Sequence, residues 1–168
     1  MNKLIVLSGV PGSGKSYISI LIKDRMRNGH VYVVSSDNLR TQICGNQQCF
    51  DHEKLMWNMY YGMAKVYARD KNGIVILDST NSKRVYRIGL VKQLKNLFDE
   101  VDLVTFKLDK LTVMRQNMER EFPIPSDILE HMFDSFEKVN EEDEEFFDKI
   151  YQVDSHDLKP IIDDIVKM

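Results

Sequence analysis

Short apolar runs alternate with longer mixed stretches along the chain. Four runs occupy residues 4–7, 31–34, 74–77 and 101–106, and three of them are nearly unbroken aliphatic or β-branched blocks. Blocks of this kind are typical of strands buried on both faces of a parallel sheet. A shorter run at residues 150–153 predicts one more strand. The apolar pattern therefore predicts a parallel sheet of about five strands.

The stretches between these runs carry helical periodicity. One helix is expected from Lys15 to a stop at Gly29, another over residues 85–97, and a closing helix near Pro160. Residues 51–73 carry a stripe that we interpret as core packing rather than as a ligand site: Leu55, Met56, Met59, Tyr60, Met63, Val66 and Tyr67. Strands that alternate with helices predict right-handed crossovers and a three-layer α/β fold.

Size and charge narrow the class of protein. The 168 residues are expected to form one domain over residues 1–168, and no apolar run approaches the ~18 residues of a membrane span. A cleavable signal peptide is not expected, because the first apolar run leads directly into a functional loop. The net charge of −3 excludes a broadly basic nucleic-acid coat but permits a local groove for a few phosphates.

Two further features concern the acids and the cysteines. Residues 134–148 carry eight acidic side chains and one basic one, which favours a solvated helix face over an acidic interaction tail. Cys44 and Cys49 are expected to be free thiols in a reducing cytoplasm. A metal site with His52 is disfavoured because the spacing is not a standard zinc pattern and a fourth ligand is missing.

The first strand runs into a phosphate-binding loop. Residues 9–16 read GVPGSGKS and match G-x-x-x-x-G-K-[ST], in which backbone N–H groups cradle phosphates. Lys15 is expected to reach the β- and γ-phosphates, and Ser16 to bind Mg²⁺. The nucleotide-binding residues predicted here are Gly9, Pro11, Gly12, Ser13, Gly14, Lys15, Ser16 and Tyr17.

Acidic residues follow two other predicted strands. Asp78 ends the run at residues 74–77 and resembles a Walker B carboxylate, so Ser16 and Asp78 are the predicted metal ligands. Asp37 follows the run at residues 31–34, where it is placed to take the proton of an attacking hydroxyl. Arg40, one helical turn later, is suited to an anionic group of the acceptor. The alternative for this pair is a helix N-cap with a surface arginine.

A helical segment with Arg115 and Arg120 precedes the sequence Pro-Ile-Pro at residues 123–125. A helix followed by prolines suits a hinged lid, placed at about residues 112–135. Arg120 is then expected to close over the transferred phosphoryl group, the alternative being an ordinary solvated helix charge.

These motifs together resemble one family. GVPGSGKS at 9–16, SDNLR at 36–40, DSTN at 78–81 and N-x-x-R at 117–120 are similar in order and spacing to the kinase module of phage and bacterial polynucleotide 5′-kinases, over roughly residues 3–135. The resemblance implies a P-loop NTPase-type fold with a small helical lid, located in the bacterial cytosol or phage-encoded.

The resemblance also implies roles for individual residues. Asp37 would be the general base for a 5′-hydroxyl, Arg40 would grip the 3′-phosphate of the terminal nucleotide, and Arg120 would clamp the β- and γ-phosphates. Lys15, Asp37 and Arg120 are thus the expected catalytic residues. The acceptor side would comprise Asp37, Arg40, Asp78, Thr80, Asn81 and Arg84.

The chain departs from its resemblance in three ways. It lacks the D-x-D-x-T motif of the phosphatase domain that some relatives carry. The acceptor channel of relatives is basic, whereas this chain is mildly acidic overall. Near DSTN, five basic residues form either a positive patch or the outer face of an ordinary amphipathic helix: Lys83, Arg84, Arg87, Lys92 and Lys95. Residues 145–148 resemble an element of related kinases, some of which act on small molecules.

The sequence therefore favours an ATP-dependent polynucleotide 5′-hydroxyl kinase that uses Mg²⁺ and acts on DNA or RNA ends, with homo-oligomerisation left open. The first alternative is a P-loop kinase of a small molecule or nucleotide. The second is a nucleotide-dependent switch or ATPase, although no N-K-x-D guanine element is present.

Overall fold

The computed structural model describes residues 1–154 and 157–168. Helices and strands alternate as the apolar pattern predicts. In chain order they are β1 Lys3–Ser8, α1 Lys15–Arg25, β2 Val31–Ser35, α2 Ser36–Cys44, α3 Glu53–Tyr67, β3 Ile74–Asp78, α4 Arg84–Leu94, β4 Glu100–Phe106, α5 Lys110–Met118, α6 Ser126–Asp134, α7 Glu141–Glu144, β5 Lys149–Val153 and α8 Lys159–Ile165. A single 3₁₀ turn, Lys95–Leu97, continues α4.

The five strands form one parallel sheet in the order β2-β3-β1-β4-β5. The central strand is β1, in which Val6 lies opposite Leu77 of β3 on one side and Leu103 of β4 on the other. Because the strands are parallel, all their carboxyl ends meet at one edge of the sheet. The predicted parallel sheet is confirmed.

Helices cover both faces of this sheet. On one face, α1 and α8 pack Ile18 and Ile162 against Ile5 of the central strand. On the other face, α3 and α4 pack Tyr60 and Leu90 against the alternate residues of the same strands. Apolar burial on both faces explains why the strands lack polar alternation. The predicted three-layer architecture is confirmed.

The predicted apolar stripe of α3 is confirmed only in part. Met56 and Tyr60 are fully buried, but Leu55 and Val66 are more than half exposed. Ala64, which lay outside the predicted stripe, is fully buried. The core face is therefore narrower than the stripe, because only residues spaced by four positions point directly at the sheet.

The structure corrects the interpretation of the basic cluster and of one residue in the acidic stretch, Asp143; the other seven acids of that stretch are exposed or half-buried, as a solvated face requires. Arg87 is fully buried, and its Nε and Nη2 donate to the two carboxylate oxygens of Asp143 at 2.9 and 3.2 Å. Asp143 is also fully buried and accepts from Arg84 Nε at 3.3 Å. A buried charge requires a paired opposite charge. Arg84 and Arg87 are thus neutralised by the segment predicted to be a solvated face, and they do not form a free positive patch.

Helices α5 and α6, called the lid below after the role predicted for this segment, have a small core of their own. Val113 of α5 and Leu129 of α6 pack on Val10 of the phosphate loop. Asn117 of α5 fixes the loop that leads to α6, since its side-chain amide donates to the Ile124 carbonyl at 2.8 Å and accepts from the Ile124 N–H at 3.0 Å. These helices span the segment predicted as a lid and sit directly on the phosphate loop.

The cysteines differ from their predicted state. Cys44, the last residue of α2, forms a disulfide with Cys49, and their Cα atoms are 6.4 Å apart. The chain turns back at Gly45 and brings the second cysteine within the Cα separation of a disulfide. The expectation of free thiols is therefore wrong for this structure.

Within residues 1–154 and 157–168, none of the helices has the length and apolar character that crossing a bilayer demands.

Candidate functional site

A cavity of about 1280 Å³ opens at the carboxyl edge of the sheet. It lies beside the central strand β1. From β1 the chain runs to β2 and β3 on one side of that strand, and it then crosses to β4 and β5 on the other side. Such a switch point is the usual ligand site of an open α/β sheet. The phosphate loop, the start of α2, the loop after β3 and the lid all contribute to its lining.

The phosphate loop is shaped by its glycines. Gly12 and Gly14 adopt φ values of +86° and +98°, which favour glycine. A Cβ on Gly12 would lie 2.6 Å from the Val113 carbonyl of the lid, so this position also has no space for a side chain. Ser13 Oγ is buried without a hydrogen-bond partner among the described residues. The loop therefore has the built shape and the free polar atom of an anion cradle.

Lys15 begins α1 and lies in the cavity. Its Nζ donates to the carbonyls of Gly9 and Val10 at 2.7 and 3.1 Å. Burial lowers the pKa of Lys15, and the nearby carboxylate of Asp78 opposes that shift. The positive end of the α1 dipole adds to this charge. The predicted loop residues Pro11 and Tyr17 line the same cavity, and Tyr17 is mostly exposed.

Ser16 and Asp78 meet as the sequence predicts. Ser16 Oγ donates to Asp78 Oδ2 at 3.1 Å, although 62 positions separate the residues in the chain. Burial raises the pKa of Asp78, with Lys15 acting in the opposite direction. A hydroxyl and a carboxylate, both hard oxygen donors beside a phosphate loop, are suited to Mg²⁺. The residues present fit the predicted metal.

Asp37 lies in the first turn of α2, at the edge of the cavity. The N-cap of this helix is Ser35, whose side chain accepts from the Asn38 N–H at 3.2 Å, so the N-cap alternative for Asp37 is wrong. Arg40 Nη1 lies 3.1 Å from one carboxylate oxygen of Asp37, and Arg120 Nη2 lies 3.6 Å from the other. Two arginines thus hold an accessible carboxylate between α2 and the lid.

Arg40 has partners that the sequence analysis did not find. Its Nε and Nη2 donate to the Glu53 carboxylate, with a shortest distance of 2.8 Å, and its guanidinium stacks 4.8 Å from the centroid of the Phe50 ring. With the bond from Nη1 to Asp37, three of the five N–H groups of the guanidinium are engaged. The sequence places Glu53 near the start of a predicted helix, but it does not reveal that Arg40 is its partner.

The DSTN loop is tied to the phosphate loop. Asn81, at φ +46°, donates from its amide to the Leu7 carbonyl at 2.7 Å, and the Gly9 N–H donates to the Thr80 carbonyl at 3.0 Å. Tyr60 of α3 also fixes this loop, through a 3.1 Å hydrogen bond between its hydroxyl and Ser79 Oγ. Asn81 and Thr80 line the cavity, but the amide of Asn81 is engaged within the protein.

Arg84 lies apart from the other predicted acceptor residues. Its guanidinium is paired with Asp143, and its backbone N–H donates to a Glu137 oxygen at 2.9 Å. It lines a smaller groove beside α4 rather than the main cavity. The other predicted acceptor residues line the main cavity: Asp37, Arg40, Asp78, Thr80 and Asn81.

Comparisons with known proteins agree with this fold. Residues 4–142 match the family AAA_33, an AAA domain. Kti12 of Chaetomium thermophilum, solved with ADP-AlF3, aligns at a TM-score of 0.69 and 18% identity, covering 97% of this chain and 95% of that chain. A gluconokinase from Sinorhizobium meliloti 1021 aligns at 0.61 and 20% identity, covering 98% and 87%.

A fungal RNA kinase aligns at a TM-score of 0.61 and 10% identity, covering 90% of this chain and 73% of that chain. At such identities the solved structures share the fold alone, whereas the family match extends over most of the chain. The chain therefore belongs to the AAA_33 family of AAA domains and has a P-loop kinase-like α/β fold.

Proposed function

We propose that this protein is an ATP-dependent kinase that transfers the γ-phosphate to the 5′-hydroxyl end of DNA or RNA. The observation that carries the proposal is the position of Asp37. Its carboxylate shares one cavity with Lys15 and with the pair formed by Ser16 and Asp78. Paired with two arginines at the edge of this cavity, the Asp37 carboxylate can accept the proton of an alcohol, which supports transfer to an acceptor.

The nucleotide half of the cavity would hold the triphosphate. The N–H groups of the loop surround the phosphates, and Lys15 exchanges its carbonyl partners for phosphate oxygens. Ser16 and Asp78 would hold Mg²⁺, which supplies charge neutralisation on the β- and γ-phosphates when bound. Arg120 reaches the cavity from the lid and is placed to stabilise charge on the transferred group.

The acceptor half would orient the alcohol. Asp37 accepts the proton as the acceptor oxygen bonds to the γ-phosphorus, while the bond from that phosphorus to the β,γ-bridging oxygen breaks and ADP leaves. Arg40 and Arg120 fix the carboxylate from both sides and so reduce the cost of orienting it. The two unengaged N–H groups of Arg40 remain for an anionic group of the acceptor.

A second candidate is a kinase of a small alcohol. It is favoured by the pairing of Arg84 and Arg87 with Asp143 and Glu137, which leaves neither arginine free to bind a polynucleotide phosphate. The polynucleotide proposal requires only that the terminal nucleotide enter the cavity. It therefore depends less on a positive outer surface than binding along an extended duplex would.

The decisive experiment is the transfer of labelled phosphate from ATP to a panel of acceptors. The panel contains 5′-hydroxyl DNA and RNA oligonucleotides, nucleoside 3′-monophosphates, nucleosides, and gluconate with related sugars. We expect the highest kcat/KM on the oligonucleotides and on the 3′-monophosphates. Higher kcat/KM on a sugar or a free nucleoside would favour the second candidate and overturn the first.

A further inference from the structure

Phe50 is an exposed aromatic side chain inside the acceptor half of the cavity. Its side chain is 60% exposed, and it lines the same wall as Asp37 and Arg40. One face of the ring lies against the Arg40 guanidinium at 4.8 Å. Large aromatic rings usually bury most of their surface. The remaining area of Phe50 is therefore apolar surface without a partner among the described residues.

Several constraints hold this ring in position. The loop that carries it is closed by the Cys44–Cys49 disulfide, one residue before Phe50. Arg40, beneath the ring, is itself fixed by the two-pronged contact with Glu53. A second contact joins the loop to the lid, where Gln47 donates to the Phe122 carbonyl at 3.4 Å. The aromatic surface is thus built in advance and not left on a free loop.

Helix α3 extends the same wall. Glu53, Trp57 and Tyr61 are spaced by four residues and so lie on one face of the helix. Glu53 binds Arg40, while Trp57 and Tyr61 line the cavity and are only partly buried. Aromatic groups beside an arginine are the side chains that stack nucleobases in single-stranded nucleic-acid sites.

The position of the ring relative to Asp37 selects one part of the acceptor. A single guanidinium, that of Arg40, separates the Phe50 ring from the Asp37 carboxylate. This short separation favours the nucleotide whose hydroxyl reaches Asp37 over a nucleotide further along the strand. We infer that Phe50 is the stacking platform for the nucleobase of the 5′-terminal nucleotide of the acceptor. This inference rests on the proposed function and names the nucleobase contact within that site.

The test compares two oligonucleotides that differ only in the terminal base. One carries an ordinary 5′-terminal nucleotide with a 5′-hydroxyl, and the other carries an abasic residue there. With the wild-type protein we expect the abasic acceptor to show a KM about tenfold higher, within the range of a lost base stack. Phe50→Ala should raise the KM of the ordinary acceptor by a similar factor and abolish the difference between the two acceptors.

The controls separate stacking from a structural role. Phe50→Trp should keep the discrimination, and the KM for ATP should be unchanged in all variants. Phe122→Ala is the matched control, since this side chain is 57% exposed but does not line the cavity. If Phe50→Ala unfolds, Phe50→Leu keeps apolar volume without a ring and should still lose the discrimination.

The experiment distinguishes a failure of the Phe50 inference from a failure of the proposed function. If the wild type phosphorylates both oligonucleotides with equal KM, or if Phe50→Ala weakens both acceptors equally, the platform is overturned and the kinase proposal stands. If neither oligonucleotide accepts phosphate while another acceptor in the panel does, both proposals are overturned.

Discussion

The two halves of the cavity are built in different ways. The proposed nucleotide half is built around one contiguous stretch, residues 9–16, whose backbone and glycines determine its shape, with Asp78 added from β3 and Arg120 from the lid. The acceptor half is assembled from side chains of α2, the loop after it, α3 and the lid. A phosphate group can thus be bound by local backbone geometry, whereas the proposed acceptor half depends on side chains that meet only when α2, α3 and the lid pack together.

The largest effect is expected from breaking the acceptor half at Asp37. Asp37→Asn keeps the shape of the side chain but removes the proton acceptor, so transfer should fall about 10²–10⁴-fold. ATP binding should change little, because the phosphate loop is untouched. Single-turnover transfer and calorimetric ATP binding measure the two halves separately.

The control for that variant is Asp24→Asn, which alters an exposed carboxylate at the far end of α1. It should leave both measurements at wild-type values. Turnover of Asp37→Asn near the wild-type rate would remove Asp37 from its proposed role.

The nucleotide half can be broken at Gly12. Gly12→Ala forces a positive φ on a residue with a Cβ and places that Cβ 2.6 Å from the Val113 carbonyl. The free loop should relax to escape strain of ~1–3 kcal/mol, and ATP must then restore the cradle, so binding should be roughly 5- to 150-fold weaker. Gly14→Ala is the matched variant, since its φ is +98° but nothing lies within 4 Å of the added Cβ. Equal losses in the two variants would show that the contact with the lid is unimportant.

The difference between the halves also explains what the sequence could and could not predict. The strands, the phosphate loop and the position of Asp37 follow from short local patterns, and the structure places Ser16 beside Asp78 as expected. The bond between Arg40 and Glu53 was not predictable, because those residues meet only through the packing of α2 on α3.

Arg87 is the clearest error of the sequence interpretation. Both interpretations of the basic cluster, a positive patch and the outer face of an amphipathic helix, left Arg87 exposed, yet its guanidinium is buried against Asp143, a residue 56 positions away. Charge alone does not reveal such a pair, because any of the eight acids at residues 134–148 was an equal candidate partner. The cysteine pair is similar, since two thiols five residues apart bond only if the intervening turn brings them together.

A smaller effect is expected from opening the disulfide. The Cys44→Ser, Cys49→Ser double variant leaves the Phe50 loop without its cross-link, so ordering that loop on the acceptor costs more conformational entropy. We expect the acceptor KM to rise a few-fold and the ATP KM to stay constant. Dithiothreitol should reproduce the change in wild type and have no effect on the double variant. A changed ATP KM would contradict the separation of the two halves.

The smallest effect on activity is expected far from the cavity. Asp102 of β4 is fully buried, and burial together with the neighbouring carboxyl of Glu100 raises its pKa to about 7. The folded state therefore holds a proton that the unfolded chain releases near pH 4, so this group lowers the free energy of unfolding as pH rises from about 4 to 7.

Asp102→Asn should remove that pH dependence and raise the thermal midpoint at pH 7, while kcat and both KM values stay constant. Thermal unfolding of wild type and variant at pH 5 and pH 7 measures the effect. A variant that loses the same stability as wild type over this interval would assign the dependence to another group.

The resting contacts of Lys15 have a consequence for inhibition. Its ammonium already donates hydrogen bonds to two backbone carbonyl oxygens, so an incoming anion must replace these intramolecular bonds. A single phosphate or sulfate group makes one contact with the ammonium and gains little from that competition, whereas a chain of phosphates would displace both carbonyls and also reach Ser16. Pyrophosphate and tripolyphosphate should consequently inhibit far more strongly than orthophosphate or sulfate at the same ionic strength.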